Sequence, residues 1–389
     1  MVKLTLKDLS LKGKRVLMRV DFNVPIENGV ITDDSRIVAS LPSIEYVLNQ
    51  GASLILMSHL GRPKGKDPQL TLAPCAKKLS DLLKKPVAMA PDCIGPEVKK
   101  MATQLQPGQV LLLENLRFHA GEETPEKDPS FTAQLAKLGD CYVNDAFGTA
   151  HRAHASTALI AKFFPHKAAM GFLMEKELQE LSPLLHNPAR PFFALIGGAK
   201  ISSKIGVIQS LLKRVDALFI GGGMVYTFLK AQGIPIGDSL CEDPNTIRDL
   251  PKTKLHFPVD LVIANAFSND ATRRIVPIHQ GIPTGWQGMD IGPQTIAQWS
   301  KELTKAATVF WNGPVGVFEM AHFATGTRGI AEALAHAKAK TIIGGGDSVA
   351  AIQQMGLGDR FAHLSTGGGA SLELLEYGHL PGIDALSDK

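Results

Sequence analysis

Nine short apolar runs, each passing directly into a charged or glycine-rich turn, constrain this chain more than any other feature. "RVLMRVDF" (15–22), "SLILMSHL" (53–60), "VLLLENLRF" (110–118) and "CYVNDAFG" (141–148) occupy the first half. "FFALIGGAK" (192–200), "ALFIGGGM" (217–224), "DLVIANAF" (260–267), "TVFWNGPVG" (308–316) and "TIIGGGDS" (341–348) occupy the second. Amphipathic stretches of helical length lie between them. Strands that are apolar throughout must be covered on both faces, and strands separated by helices run parallel. Because 389 residues exceed one ordinary core, the expected class is α/β with two doubly wound, Rossmann-like parallel-sheet domains.

Between the two series lies "LMEKELQELSPLLHNPARP" (173–191). Met174, Leu178, Leu181 and Leu185 share one helical face, and Pro188 and Pro191 stop the helix. Its position makes 173–188 an interdomain helix, joining an N-terminal domain over 1–172 to a C-terminal domain over 189–371.

Bulk properties exclude several classes. The net charge is only +4 and no long run of like charge occurs, so no nucleic-acid partner is expected. The four cysteines are widely spaced with no CxxC pair, which argues for a reducing, cytoplasmic setting. "MVKLTLKDLSLKGKR" lacks the apolar core of a signal peptide. "ALFIGGGMVYTFL" (217–229) is shorter than the ~20 residues a bilayer needs, so no membrane association is expected.

In open α/β sheets ligands bind at the carboxyl ends of strands, and the chemically distinctive residues fall there. The first half offers side chains: Asp21 and Asn23, Arg36, His59 and Arg62, Arg117, then His151 and Arg152 in "FGTAHRAHAST" (147–157). Arginine forks and histidines from several loops suit a small, multiply charged anion, and Asp21 and Asn23 suit its hydroxyl. An Asx turn before Pro25 accounts for Asp21 and Asn23 equally well. The second half offers glycine instead, in "GGAKISSKIG" (197–206), "GGGM" (221–224), "NGPVG" (312–316), "GGGDS" (344–348) and "STGGGASLELLE" (365–376). Small residues leading into helices expose N–H groups to phosphate, and Lys200 and Lys204 are expected on one helix face beside them. Asp347 suits either a helix cap or a magnesium ligand. Glu319 suits ribose hydroxyls, and Trp311 suits the core. Neither GxxxxGK[ST] nor GxGxxG is present, which argues against a P-loop enzyme and a dinucleotide-dependent dehydrogenase.

Taken in order, "RVDFNVP", "SHLGRP", "ENLRF", "AFGTAHRAHAS", "GGAKISSK", "GGGM", "NGPVGVFE", "GGGDS" and "STGGGASLE" resemble the phosphoglycerate kinase family over about residues 12–382. The resemblance implies a monomeric, hinge-bending enzyme of glycolysis that moves phosphate between 1,3-bisphosphoglycerate and ADP, giving 3-phosphoglycerate and ATP, with Mg2+. It implies a triose grip of Asp21, Asn23, Arg36, His59, Arg62, Arg117, His151 and Arg152, with His154 structural. It implies nucleotide contacts from Lys200, Lys204, Gly222, Asn312, Glu319, Gly345, Gly346, Asp347 and Ser348, with Asp347 towards the metal. Residues 372–389 would return to the first domain. Ile201, Ser203, Ser348 and Tyr377 depart from the family's usual residues, and Tyr377 makes the local helix ending uncertain to read.

Acceptor and donor oxygens in such a transfer are already ionised, so no general base is needed. The expected catalytic groups neutralise charge: Arg36, Lys200 and the helix-start amides at Gly346 and Gly368. A non-catalytic anion-binding protein of the same fold would be expected to lack Arg36, Lys200 or Asp347, and all are present.

Overall fold

A computed structural model describes residues 2–251 and 253–389. The chain divides into two compact units, residues 1–179 with 379–389, and residues 180–378.

In the first unit a six-stranded, all-parallel sheet contains β1 (Arg15–Arg19), β4 (Ser53–Met57), β5 (Val87–Met89), β6 (Val110–Leu112), β7 (Cys141–Asn144) and β8 (Ala168–Met170). Its order is β5-β6-β4-β1-β7-β8, and a small hairpin of β2 (Ile26–Glu27) and β3 (Val30–Ile31) follows β1. Helices α1 (Ser35–Asn49), α2 (Ala73–Leu83), α3 (Pro96–Gln104) and α4 (Pro129–Ala136) belong here. One continuous core joins Val16, Met18, Leu54 and Leu56 of the sheet to Ile37, Ile44 and Val47 of α1 and Leu79 of α2.

In the second unit the parallel sheet runs β11-β10-β9-β15-β16-β17, with β9 (Phe192–Ile196), β10 (Ala217–Ile220), β11 (Leu255–His256), β15 (Thr308–Asn312), β16 (Lys340–Gly344) and β17 (His363–Leu364). "DLVIANAF" does not join it. That run forms β12 (Asp260–Ala264), antiparallel to both β13 (Arg273–Pro277) and β14 (Gln287–Ile291). The run follows β11 without an intervening helix, so no crossover sets it parallel. The helices are α6 (Ile205–Leu212), α7 (Met224–Ala231), α8 (Pro293–Leu303), α9 (Thr325–Ala335), α10 (Gly346–Gln354) and α11 (Gly368–Tyr377).

The expected connector is α5 (Phe172–His186), and the division between units falls inside it. Its buried stripe is Met174, Glu177, Leu181 and Leu184, with Leu178 and Leu185 only half-buried. The return to the first unit begins at His379 rather than 372. The reason is packing: α11 lies on α6, where Ser210 Oγ donates to Leu375 O at 2.7 Å. Gly378 takes the left-handed conformation (φ 80°) and ends α11, so Tyr377 is simply its last residue. The short α12 (Pro381–Asp384) then rests against the first unit, Gly382 N donating to Ala150 O at 2.8 Å.

Candidate functional site

In the first unit four adjacent strands, β6, β4, β1 and β7, deliver the expected anion-binding residues from their carboxyl ends. Arg36 stands in the first turn of α1. Its guanidinium donates to Asp21 Oδ2 at 3.0 Å and to Asn23 O at 3.3 Å. Asp21 Oδ1 accepts from Asn23 N at 3.3 Å, so the Asx turn exists, and the same carboxylate also holds Arg36. Asn23 Oδ1 accepts from Gly61 N at 2.9 Å, and Arg117 Nη1 donates to Gly61 O at 2.8 Å. One loop glycine thus ties the Asn23 and Arg117 loops together. Arg62 and Arg152 are exposed and reach the group only through space.

The histidines are kept neutral. Burial first, then Arg19, Arg117 and Arg36, push His59 well below its ordinary value. Burial and Arg152 bring His151 to about 4. Burial and then Arg117, Arg19 and Arg152 do the same for His154, also about 4. His154 therefore stands in the same cationic field as His151. Three buried nitrogens here, Arg117 Nε, His151 Nδ1 and His154 Nδ1, have no hydrogen-bond partner among the described residues.

Beneath this layer lies a network that sequence reasoning missed. Arg19 is 1% exposed; its guanidinium contacts Val20 O, donates to Ser156 Oγ at 2.8 Å and lies 3.1 Å from His59 Nδ1. Guanidinium only donates, so His59 Nδ1 accepts and its Nε2 carries the proton. Ser156 Oγ donates to buried Glu122 at 2.5 Å, and Arg19 lies 4.0 Å from that carboxylate. The available signal was a charged residue inside an apolar strand, "RVLMR".

In the second unit the carboxyl ends of β10, β9, β15, β16 and β17 form a surface of bare backbone. Gly222 has φ +66°, and a Cβ there would lie 2.6 Å from Gly198 N and 2.7 Å from Gly198 O. A Cβ on Gly368 would lie 2.9 Å from Gly345 Cα and 3.2 Å from Gly346 N, so α10 and α11 begin side by side. Two helix starts then present N–H groups to one place, with open space at Gly346.

The lysines are not on a helix face. Lys200 is exposed in the loop, and Lys204 is the N-cap residue of α6, which starts at Ile205. The Gly-Gly turn consumes residues that periodicity would assign to the helix. Lys204 Nζ donates to Gly197 O at 2.7 Å and Asn312 Oδ1 at 2.8 Å, and burial lowers it to about 8. Asn312 is buried, and its Nδ2 has no hydrogen-bond partner among the described residues. Ser348 Oγ accepts from Gly313 N at 2.6 Å, so it braces the β15 loop. Trp311 is fully buried, with Nε1 donating to Gly313 O at 2.8 Å. Glu319 is exposed. The N-cap of α10 is Gly345, which leaves Asp347 as an exposed first-turn carboxylate without a capping bond.

Side chains gathered for an anion on one sheet, and bare amides gathered on the other, are the equipment of a small-molecule phosphotransferase rather than an oxidoreductase. Similarity to known proteins supplies the family. The sequence profile described as Phosphoglycerate kinase matches residues 6–378, and the chain belongs to the phosphoglycerate kinase family. The phosphoglycerate kinase of Roseiflexus castenholzii is 56% identical over 399 residues, and that of Moorella thermoacetica 54% over 398, each alignment covering 100% of both chains. The solved phosphoglycerate kinase of Coxiella burnetii matches with a TM-score of 0.84 at 40% identity, and that of Pyrococcus horikoshii with 0.84 at 33%, each covering 98% of both chains. The protein is accordingly a kinase with a glycolytic role.

Proposed function

We propose that the chain carries out Mg2+-dependent, in-line transfer of the acyl phosphate of 1,3-bisphosphoglycerate to ADP, reversibly, giving 3-phosphoglycerate and ATP. The observation that carries the residue assignments is the set of buried nitrogens left without partners at strand ends: Arg117 Nε, His151 Nδ1 and His154 Nδ1 in one unit, Asn312 Nδ2 in the other. A buried donor or acceptor without a partner is costly, and a ligand oxygen or hydroxyl relieves it.

The triose binds through Asp21, Asn23, Arg36, His59, Arg62, Arg117, His151 and Arg152, and the buried, unpartnered Nδ1 of His154 supports adding it to the set. Arg19 acts through His59, keeping its Nε2–H directed at the ligand. The nucleotide binds through Lys200, Gly222, Asn312, Glu319 and the amides at Gly345 and Gly346, while Lys204 and Ser348 shape the loop from behind. Arg36 and Lys200 offset the charge of the migrating phosphoryl group, and the first-turn amides at Gly346 and Gly368 donate to it. No residue need remove a proton, because both reacting oxygens are ionised.

Magnesium fits the chain at Asp347, whose exposed carboxylate at a helix start is a hard oxygen donor, with nucleotide phosphates and water completing the shell. When bound, the metal neutralises the phosphates. Hinge-bending of the two units, action as a monomer and a cytoplasmic location belong to the same proposal. A coupled assay with 3-phosphoglycerate, MgATP, glyceraldehyde-3-phosphate dehydrogenase and NADH tests it. NADH loss should require both 3-phosphoglycerate and Mg2+. Loss that persists without either one, or none from folded protein, defeats the assignment.

A further inference from the structure

We propose that Asp92, Cys93 and His119, which take no part in the reaction above, form a binding site for a zinc-class divalent cation. A carboxylate oxygen, the thiol sulfur and a ring nitrogen of these residues all lie within 4.8 Å of one another. They come from the loops after two neighbouring strands, β5 and β6. His119 Nε2 is 2.7 Å from Asp92 Oδ1. The imidazole stacks on Phe131 with ring centroids 5.3 Å apart, and His119 N donates to Leu116 O at 3.2 Å. Cys93 N donates to Asp92 Oδ1 at 2.6 Å, and Glu114 N to Asp92 O at 3.3 Å. The donors are thus held by packing and backbone bonds rather than assembled on binding.

The donor set selects the metal. Mg2+ takes oxygen ligands and leaves a sulfur unused, whereas thiolate, imidazole and carboxylate together suit Zn2+. Three protein ligands leave the fourth tetrahedral position to water. Cys93 is fully buried, while the side chains of Asp92 and His119 are 40% and 28% exposed, so two of the three donors meet solvent. Burial, Asp92 and Glu122 hold the thiol protonated in the metal-free protein, and the same negative field favours a cation beside it. On binding, the thiol proton and the Nε2 proton that His119 donates to Asp92 both come off, His119 holds its remaining proton on Nδ1, and the freed Nε2 ligates, the released protons passing to solvent. Nothing is oxidised or reduced. An ion pair between His119 and Asp92 accounts for two of the donors; the metal accounts for the cysteine at the third corner.

The test uses the intact protein, stripped of metal and free of nucleotide, titrated with Co2+ and followed by absorption. A thiolate-to-cobalt charge-transfer band with tetrahedral ligand-field bands should saturate at one equivalent and be displaced by Zn2+. C93S should abolish the charge-transfer band and weaken Zn2+ by at least about 100-fold. H119Q, which keeps the thiol should C93S not fold, should weaken Zn2+ comparably, and C241S should change neither signal. Absence of the cobalt band in the parent protein overturns the proposal. So does Zn2+ affinity unchanged in C93S or H119Q, or a band lost in C241S.

Discussion

On the proposed function, the two units hold phosphate chemistry by opposite means. In the first, the ligand-facing layer is made of side chains: Arg36 is fixed by Asp21 at 3.0 Å, and Arg117 by Gly61 O at 2.8 Å. Burial first, and the neighbouring arginines after it, hold His151 and His154 neutral, at about 4. In the second unit much of the layer is main chain, joined by Lys200, Asn312 and Glu319, and at Gly222 a side chain is excluded because backbone comes within 2.6 Å of where its Cβ would stand. Amide donors carry no net charge and need no counter-ion, and this unit relies instead on positive-φ turns that glycine adopts without strain, at Gly198, Gly222, Gly313 and Gly345. Function in the first unit should therefore fail by side-chain deletion, and in the second by addition of a methyl group.

The largest effect should come from Arg36→Ala. Removing a charged donor aimed at the migrating group should lower turnover by about 1,000-fold. Affinity for MgADP, measured by calorimetry, should stay within about twofold, because Arg36 lies in the first unit. Near-normal turnover would remove Arg36 from the catalytic set and leave it a partner of Asp21.

Adding one methyl group should give the next effect. Gly222→Ala forces a side chain onto a left-handed residue against Gly198, and should weaken nucleotide binding about 30-fold while leaving 3-phosphoglycerate affinity intact. Equal losses for both ligands would show that the glycine surface is general scaffolding. A smaller change is expected from Asp347→Asn. The magnesium concentration for half-maximal rate should rise about tenfold, with melting temperature unchanged because Gly345 and not Asp347 caps α10. Unaltered metal dependence would place the metal elsewhere.

Most of this division was legible in the residues. Apolar runs marked β1, β4, β6, β7, β9, β10, β15 and β16, because a strand covered on both faces must be apolar on both. β5, β8 and β17 were not legible, since their two or three residues stand outside any long apolar run, whereas the three of β6 sit within "VLLLENLRF". β12 was seen as a strand, but its antiparallel setting depends on partners elsewhere in the chain. Candidate residues could be listed from strand ends, but not ranked. Nothing local separates exposed Lys200 from Lys204, which spends its ammonium on Gly197 and Asn312. Nor does spacing show that Ser348 braces a loop, that His154 shares a field with His151, or that Arg19 and Glu122 lie beneath His59. Such facts are long-range pairings, fixed only when the sheet closes.

The smallest effect discriminates most finely, because both units should take up protons on binding anions, at different pH. His151 and His154 are depressed to about 4, so the free protein holds them neutral at pH 6. An anion beside them favours the charged form and raises their values, so 3-phosphoglycerate should bind with proton uptake near pH 6 that fades by pH 8. The same depression means that the fold loses stability as pH falls from 6.5 towards 4, where the unfolded chain binds protons that the folded one resists. Lys204, behind the loop, is depressed to about 8 by burial, and a nucleotide phosphate bound in front of it should raise that value through space, so proton uptake on nucleotide binding should peak above pH 8 instead. Calorimetry of each ligand in buffers of different ionisation heat reads the proton number directly. H151Q should reduce uptake with 3-phosphoglycerate at pH 6 and leave uptake with nucleotide at pH 8 unchanged. If both ligands show the same pH window, the two surfaces do not differ in the way the charges imply, and the contrast between side-chain and main-chain recognition fails at its most specific point.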